Sequence, residues 1–226
     1  DVVFQLILTT MANISTILIV DDHPLVRTGF AQLIGDCIDL EVSGEASDIK
    51  SALHQIDQNS PDLAIIDLSL AEGSGLDLIE RVKARSPDIL MLVASIHDEL
   101  LYAERLLTAG AKGYINKQEA QDKIILAIRQ VLSGKVYLSE KMTERLLSGI
   151  ASGRTQKRDV ETLTNRELQV FELIGHGAST SQMAEQLKLS VKTIESHQAN
   201  IKRKLDLETG HALIHRAIRW VVEQEE

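Results

Sequence analysis

Leu63-Ala64-Ile65-Ile66-Asp67-Leu68-Ser69-Leu70 is the stretch whose reading decides the fold. Its four leading apolar residues follow Pro61-Asp62 without polar alternation, the pattern of a parallel strand covered by helices on both faces. The run ends in a carboxylate. In open parallel α/β sheets ligands gather outside the carboxyl ends of the strands, so Asp67 falls where such folds place their chemistry. Taken alone, Asp67 is better read as capping the turn that follows.

The pattern repeats upstream. Residues 17–20 form a second apolar, β-branched run, and it ends in Asp21-Asp22. Pro24 suits the first turn of a helix with Val26, Phe30, Leu33 and Ile34 on its buried face. Beyond it, residues 40–46 read as a weaker strand and 48–58 as a helix with Asp48 as N-cap. Residues 75–85 read as a helix stopped by Ser86-Pro87, and 89–94 as a buried strand. A helix over 99–109 ends at Gly110, 113–116 is a short strand, and 121–132 is an amphipathic helix with Ile124, Ile125, Ile128, Val131 and Leu132 inward. Five alternations of strand and helix predict an α/β fold, a doubly wound five-stranded parallel sheet.

If the first and third strands are neighbours, as in the order 2-1-3-4-5, Asp21, Asp22 and Asp67 meet in one crevice. Three carboxylates so placed repel unless a cation lies between them, and oxygen ligands with room for water suit Mg2+. The competing reading makes Asp21 and Asp22 N-caps of the Pro24 helix. Two further strand ends carry complementary groups: Ser95 a hydroxyl, Lys117 an ammonium. Singly each reads as a loop residue. Together with a nucleophilic carboxylate and a dication they fit the acceptance of a phosphoryl group as an acyl phosphate.

Composition bounds the alternatives. A chain of 226 residues of balanced composition suits a soluble protein of two ordinary domains. Its net charge of −9 is uneven: residues 11–139 hold 11 Lys+Arg against 19 Asp+Glu, whereas 140–226 hold 13 of each. The second half nevertheless gathers Lys202-Arg203-Lys204 behind Lys188 and Lys192. A lone cysteine, Cys37, excludes an internal disulfide, argues against a Cys-based zinc site and points to a reducing cytoplasm. No apolar run approaches the roughly 20 residues of a membrane span, and residues 1–10 lack a basic leader and a cleavage site. Met11 is the expected start, with 1–10 read as upstream or added sequence and an ordered extension as the alternative.

Leu18-Ile19-Val20-Asp21-Asp22-His23, Asp67, Ser95 and Lys117 resemble the receiver domain of bacterial two-component response regulators over about residues 14–132. The resemblance implies a flavodoxin-like receiver in which Asp67 takes a phosphoryl group from a sensor histidine kinase or a small phosphodonor. Mg2+ would be held by Asp22, Asp67 and the carbonyl of Ser69, with Asp21 assisting through water. Ser95 would turn toward the phosphate, Tyr114 would follow as the aromatic half of the switch, and Gly75 fits the glycine after the phosphorylation loop. Ala71 and Gln118 depart from the family, which often has proline at both places. Ser69 and His97 occupy positions that in that family tune the lifetime of the phosphoryl group.

In the second half, 139–148 reads as a connecting helix and 149–160 as a linker. Thr164-Asn165-Arg166-Glu167 opens a helix as a capping box, with Leu168, Phe171 and Ile174 buried, and Gly175-His176-Gly177 ends it. A short helix over 179–187 and a third beginning after Ser190 have helix-turn-helix spacing. The third places Ile194, Ile201 and Leu205 on one face; in isolation its charged remainder would be a solvated surface. Leu163-Thr164-x-Arg166-Glu167, Gly177, Ala184, Leu187 and Ser190-x-Lys192-Thr193-Ile194-Glu195-x-His197 resemble the DNA-binding domain of LuxR/NarL/FixJ-type regulators over about residues 163–222. That resemblance implies that Lys192, Thr193, Lys202 and Lys204 mainly hold phosphates while Glu195, Ser196 and Ala199 face base edges. It makes the last helix, 209–222 with Leu213, Ala217 and Val221, the dimer contact on DNA. His197, lacking a second ligand nearby, reads as a packing residue.

The expected map is therefore 1–10 extension, 11–134 receiver, 135–162 connecting helix and linker, and 163–226 a small all-α helix-turn-helix domain of four helices. The expected function is a cytoplasmic, phosphorylation-controlled transcription regulator, not an enzyme, acting as a homodimer on double-stranded DNA. The alternative is a phosphorylation-independent DNA binder whose receiver serves only for dimerisation. A haloacid-dehalogenase-type phosphatase needs a second acid where Ser69 stands, and no Gly-x-Gly-x-x-Gly follows the first strand to bind a dinucleotide.

Overall fold

The computed structural model describes residues 14–70, 74–97, 99–151 and 159–225; Met11, Ala71 and residues 152–158 of the expected linker lie outside them. The chain divides into two compact units between Leu146 and Leu147.

The first unit is built on five strands, β1 (Ser15–Val20), β2 (Leu40–Ala46), β3 (Leu63–Ile66), β4 (Leu90–Ser95) and β5 (Gly113–Asn116). Their order is β2-β1-β3-β4-β5, and every neighbouring pair is parallel. Between them run α1 (Pro24–Gly35), α2 (Ile49–Asn59), α3 (Gly75–Arg85), α4 (Glu99–Ala109) and α5 (Ala120–Leu132). Alternate strand residues Ile17, Ile19, Leu63, Ile65, Leu92 and Ile115 pack with Phe30 and Ile34 of α1 and Ile124, Ile128 and Val131 of α5. The intervening Leu18, Val20, Ala64, Ile66, Met91 and Val93 are equally buried, so both faces are covered and the strands need no polar alternation. The register Ile17↔Leu63 and Val20↔Ile66 sets the ends of β1 and β3 level. That brings Asp21 and Asp67 to one rim of the sheet.

The first unit runs beyond the expected limit at residue 134. Tyr137 pairs in parallel with Gly113 at the edge of β5, and Met142 of α6 (Glu140–Ala151) is buried. Both are non-local contacts, which hydrophobic periodicity does not report.

The second unit, which begins within α6, contains a 3₁₀ turn (Asp159–Thr162), α7 (Asn165–Gly175), α8 (Thr180–Gln186), α9 (Val191–Lys204) and α10 (Gly210–Glu225). Thr164 and Glu167 form the expected capping box, and Ser179 with Gln182 forms another. Lys188, at φ 54°, makes the left-handed turn between α8 and α9. Phe171 and Trp220 meet at 5.4 Å between ring centroids, in a core that includes Leu168, Ile174, Met183, Ile194 and Ile201. Among the described residues no helix is long and apolar enough to cross a membrane.

Gly75 locks the chain beside Asp67. Its N–H donates to the Leu68 carbonyl at 2.9 Å, and a Cβ there would overlap the Asp67 carbonyl and lie 2.9 Å from Leu68 Cα. Backbone cannot yield as a side-chain tip does, so Gly75→Ala should destabilise the first unit by about 1–3 kcal/mol. Gly29, inside α1, faces open space, and Gly29→Ala should stabilise by up to about 1 kcal/mol. Calorimetric unfolding of the two variants checks the opposite signs.

Candidate functional site

At the carboxyl rim of the sheet, Asp21, Asp22, His23 and Asp67 each direct a ligand atom into a space in which all lie within 4.8 Å of one another. Asp21 and Asp67 are buried to 2% and 3% exposure, and Asp22 is half-buried. The N-cap position of α1 is His23, not Asp21 or Asp22, and the His23 side chain makes no cap bond. Asp21 Oδ1 does accept the His23 N–H at 2.8 Å, holding the turn.

Lys117 follows β5 and reaches across the rim: Nζ lies 2.6 Å from Asp21 Oδ2 and 2.7 Å from Asp67 Oδ2. One ammonium thus bridges two buried carboxylates. Burial pushes the Asp67 carboxyl above its ordinary value, against the downward pull of Lys117; the Asp21 charge adds to the upward push. Oxygen donors in a buried cluster that carries more negative than positive charge fit a small hard dication, with Asp22 and Asp67 able to hold it.

The other expected residues surround this centre. Ser95 ends β4, fully buried, and its Oγ accepts the His97 N–H at 3.3 Å. Tyr114 on β5 is 1% exposed, and its hydroxyl donates to the His97 carbonyl at 2.6 Å. Ser69 Oγ lies 3.1 Å from His97 Nε2, so the two residues flanking the mouth are joined. His97 also stacks, tilted, on Tyr102 at 5.2 Å. No peptide bond among the described residues is cis, so the bond after Lys117 is trans.

Two residues at the site were given no role by the sequence reading. His23 Nδ1 is 2.7 Å from Asp22 Oδ1, and Arg27 donates to the Asp21 carbonyl at 2.7 Å while holding Glu45 of β2 at 3.0 Å. The spacing of Arg27, six residues after Asp21 on the first turns of α1, was the available signal.

In the second unit, Lys192, Glu195, Ser196 and Ala199 lie on the exposed side of α9, opposite buried Ile194 and Ile201. Thr193 helps to cap the helix through Ser190, and Lys202 is half-buried. Lys204 is turned elsewhere: Nζ pairs with Glu167 Oε2 at 2.7 Å and donates to the Thr162 carbonyl at 3.2 Å. Burial opposes ionisation of Glu167, but hydrogen bonds from Lys204 and Thr164 outweigh it and hold its pKa below the usual range. Burial lowers the pKa of His197, consistent with its reading as a packing residue. Leu213, Ala217 and Val221 of α10 are buried in the unit's core and therefore do not form an outer contact face. The exposed apolar residues of that helix are Ile214, Ile218 and Val222, one turn apart.

Comparison with known proteins matches residues 17–129 to the response regulator receiver domain and 161–217 to the bacterial regulatory proteins of the luxR family. The oxygen regulatory protein NreC of Staphylococcus haemolyticus (strain JCSC1435) is 35% identical over 210 residues, 90% of this chain and 96% of that protein. NreC of Staphylococcus carnosus (strain TM300) is 35% identical over 209 residues, with the same coverage. Among solved structures, RcsB of Salmonella enterica serovar Typhimurium, bound to a promoter in the presence of the phosphomimetic BeF3−, has a TM-score of 0.60 at 25% identity, covering 91% of this chain and 98% of that one. A structure of two RcsB dimers bound to two parallel DNAs has a TM-score of 0.56 at 27% identity, covering 90% and 97%.

Removing the ammonium should expose what it neutralises. Lys117→Met leaves Asp21 and Asp67 facing each other, at a cost of about 3 kcal/mol near pH 7. Without the ammonium, burial and the neighbouring Asp21 charge push the Asp67 pKa up unopposed, so the folded state holds a proton that the unfolded state has released, and stability falls as pH rises. The deficit against wild type should shrink as pH is lowered toward the ordinary carboxylate range, and also on adding Mg2+. Thermal unfolding across pH reads this; a deficit indifferent to both would assign Lys117 a packing role alone.

Proposed function

The chain belongs to the response regulators that join a receiver domain to a luxR-family DNA-binding domain, and on that footing we propose that phosphorylation of Asp67 controls how the second unit engages DNA. Family membership makes it a DNA-binding transcription regulator and not an enzyme. The observation that carries the phosphorylation reading is the Asp67 carboxylate, buried beside Asp21 and Asp22 and bridged by the Lys117 ammonium.

In the proposed reaction an Asp67 oxygen attacks the phosphorus of a phosphohistidine on a sensor kinase. The P–O bond forms, the P–N bond breaks, and the imidazole leaves and takes up a proton. Mg2+, held by Asp22, Asp67 and the Ser69 carbonyl with Asp21 assisting, would neutralise the transferred oxygens. Lys117 pairs with one phosphoryl oxygen, and the Ser95 hydroxyl turns from the His97 N–H to donate to another. Tyr114, already inward, follows the movement of His97. The added charge biases a two-state receiver surface. All of this takes place in the cytoplasm.

On the DNA side, α9 enters the major groove. Lys192, Thr193 and Lys202 hold phosphates, while Glu195, Ser196 and Ala199 face base edges. Lys204 drops out of this set because its ammonium is engaged by Glu167. Two copies meet through Ile214, Ile218 and Val222 of α10 and read two half-sites as a homodimer. That the similar RcsB is seen as dimers on DNA supports a homodimer.

Intact mass after incubation with acetyl phosphate and Mg2+ should show one phosphoryl adduct, lost in Asp67→Ala and without the metal. In Asp67→Asn, phosphodonor should leave DNA affinity unchanged; a donor-dependent gain would overturn the mechanism. For the interface, Lys192→Ala should weaken all sequences alike and reduce the salt slope by about 1. Ile218→Asp should abolish cooperative occupancy of paired half-sites while sparing a single one, as read by mobility shift.

A further inference from the structure

We propose that the start of α6 is capped in trans by Glu99 of α4, so that the state of Asp67 sets how firmly α6 and the strap before it are held. This rests on the phosphoryl-acceptor reading of Asp67 and extends it to the receiver's output.

Ser139 is the N-cap of α6: its Oγ accepts the Met142 N–H at 3.1 Å and its carbonyl the Thr143 N–H at 3.0 Å. In a capping box the residue at the third helical position returns an acid or amide to the N-cap N–H. Here that residue is Met142, buried to 1% exposure and without an acceptor to offer. Glu99 takes its place. Its Oε1 accepts the Ser139 N–H at 2.9 Å from forty residues earlier in the chain. A helix whose cap comes from another helix holds only while that other helix stays in position.

The strap leading to Ser139 is fastened to the same region. Tyr137 donates its N–H to the Lys112 carbonyl at 3.0 Å and accepts the Tyr114 N–H at 2.9 Å, so it lies along β5. Gly113 permits this approach: a Cβ there would stand 2.9 Å from the Tyr137 carbonyl oxygen. Gln130 of α5 adds a bond to the Val136 carbonyl at 2.6 Å. Two of these anchors lead back to the phosphorylation site. Tyr114 bonds the His97 carbonyl, and His97, two residues before Glu99, donates to Ser95 Oγ.

When Ser95 turns to a phosphoryl group on Asp67, the His97 N–H loses its acceptor. The displacement reaches Tyr114 through the His97 carbonyl and Glu99 along the chain. Ser139 then loses its trans cap, and the first turns of α6, which lead toward the second unit, open more readily.

Amide hydrogen exchange on the full chain tests this, with intact mass taken on the same samples. In wild type, acetyl phosphate with Mg2+ should lower protection about fivefold over residues 137–145, the size of one helix cap. Glu99→Ala should show that lower protection without donor and no further change with it. Glu99→Gln, which keeps an acceptor oxygen, should match wild type without donor. An adduct on Asp67 with unchanged protection, or Glu99→Ala protected like wild type, would overturn the trans cap while leaving the receiver chemistry intact. Absence of any adduct would overturn the phosphoryl-acceptor reading and the coupling with it.

Discussion

The Lys117 ammonium, 2.6 and 2.7 Å from the carboxylates of Asp21 and Asp67, is the interaction on which the rest of the first unit depends. Two acids this deeply buried would otherwise have to stay protonated or unfold the rim that carries them. The arrangement is possible because β1 and β3 end level while β5 runs two residues further, Ile66 lying opposite Val93 and Val93 opposite Tyr114. β1 and β3 are paired in register through Val20↔Ile66, and β4 and β5 through Ser95↔Asn116, so residues far apart in the chain share one edge. Arg27 then fixes the backbone of Asp21 from α1 while gripping Glu45 on β2. The acidic cluster is thus braced by two cations of different kinds: a compact ammonium inside it and a planar guanidinium behind it.

Much of this was legible in the sequence because it is local. The strand-then-acid pattern at Val20-Asp21 and Ile66-Asp67, the N-cap at Asp48 and the capping box at Thr164 and Glu167 all depend on neighbours within a few residues. Alternation and handedness predict one parallel sheet, and the strand order, which entered the sequence reading only as a condition, is the one observed. Illegible were partnerships across long stretches of chain. Periodicity marked Leu213, Ala217 and Val221 as one face of α10 but not whether that face meets its own core or a second copy, and the core takes it. Lys204 stands in a basic run that looks free for an anion until Glu167, thirty-seven residues earlier, is seen beside it. Glu99 and Ser139 belong to the same class.

The second unit economises on charge. Glu167 serves three groups, the Thr164 N–H, Lys204 and, through its position, the first turn of α7. Ser190, with Thr193 beside it, caps α9, so the start of that helix is set by hydroxyls and not by acids that would repel a polyanion. Basic side chains are concentrated in the last turn, where they also suit the helix dipole.

A sheet of five strands has two open margins, and unpaired strand margins invite other chains to add to them. The two margins here are defended differently. β2 carries Glu41 and Glu45 and meets β1 with a register shift between Ile17 and Leu18, so its outline is charged and irregular. β5 is short and apolar and has no such defence of its own; the chain folds Tyr137 over it instead. Whatever loosens that cover uncovers a row of backbone donors and acceptors, which makes the integrity of the segment after α5 a matter of solubility as well as of signalling.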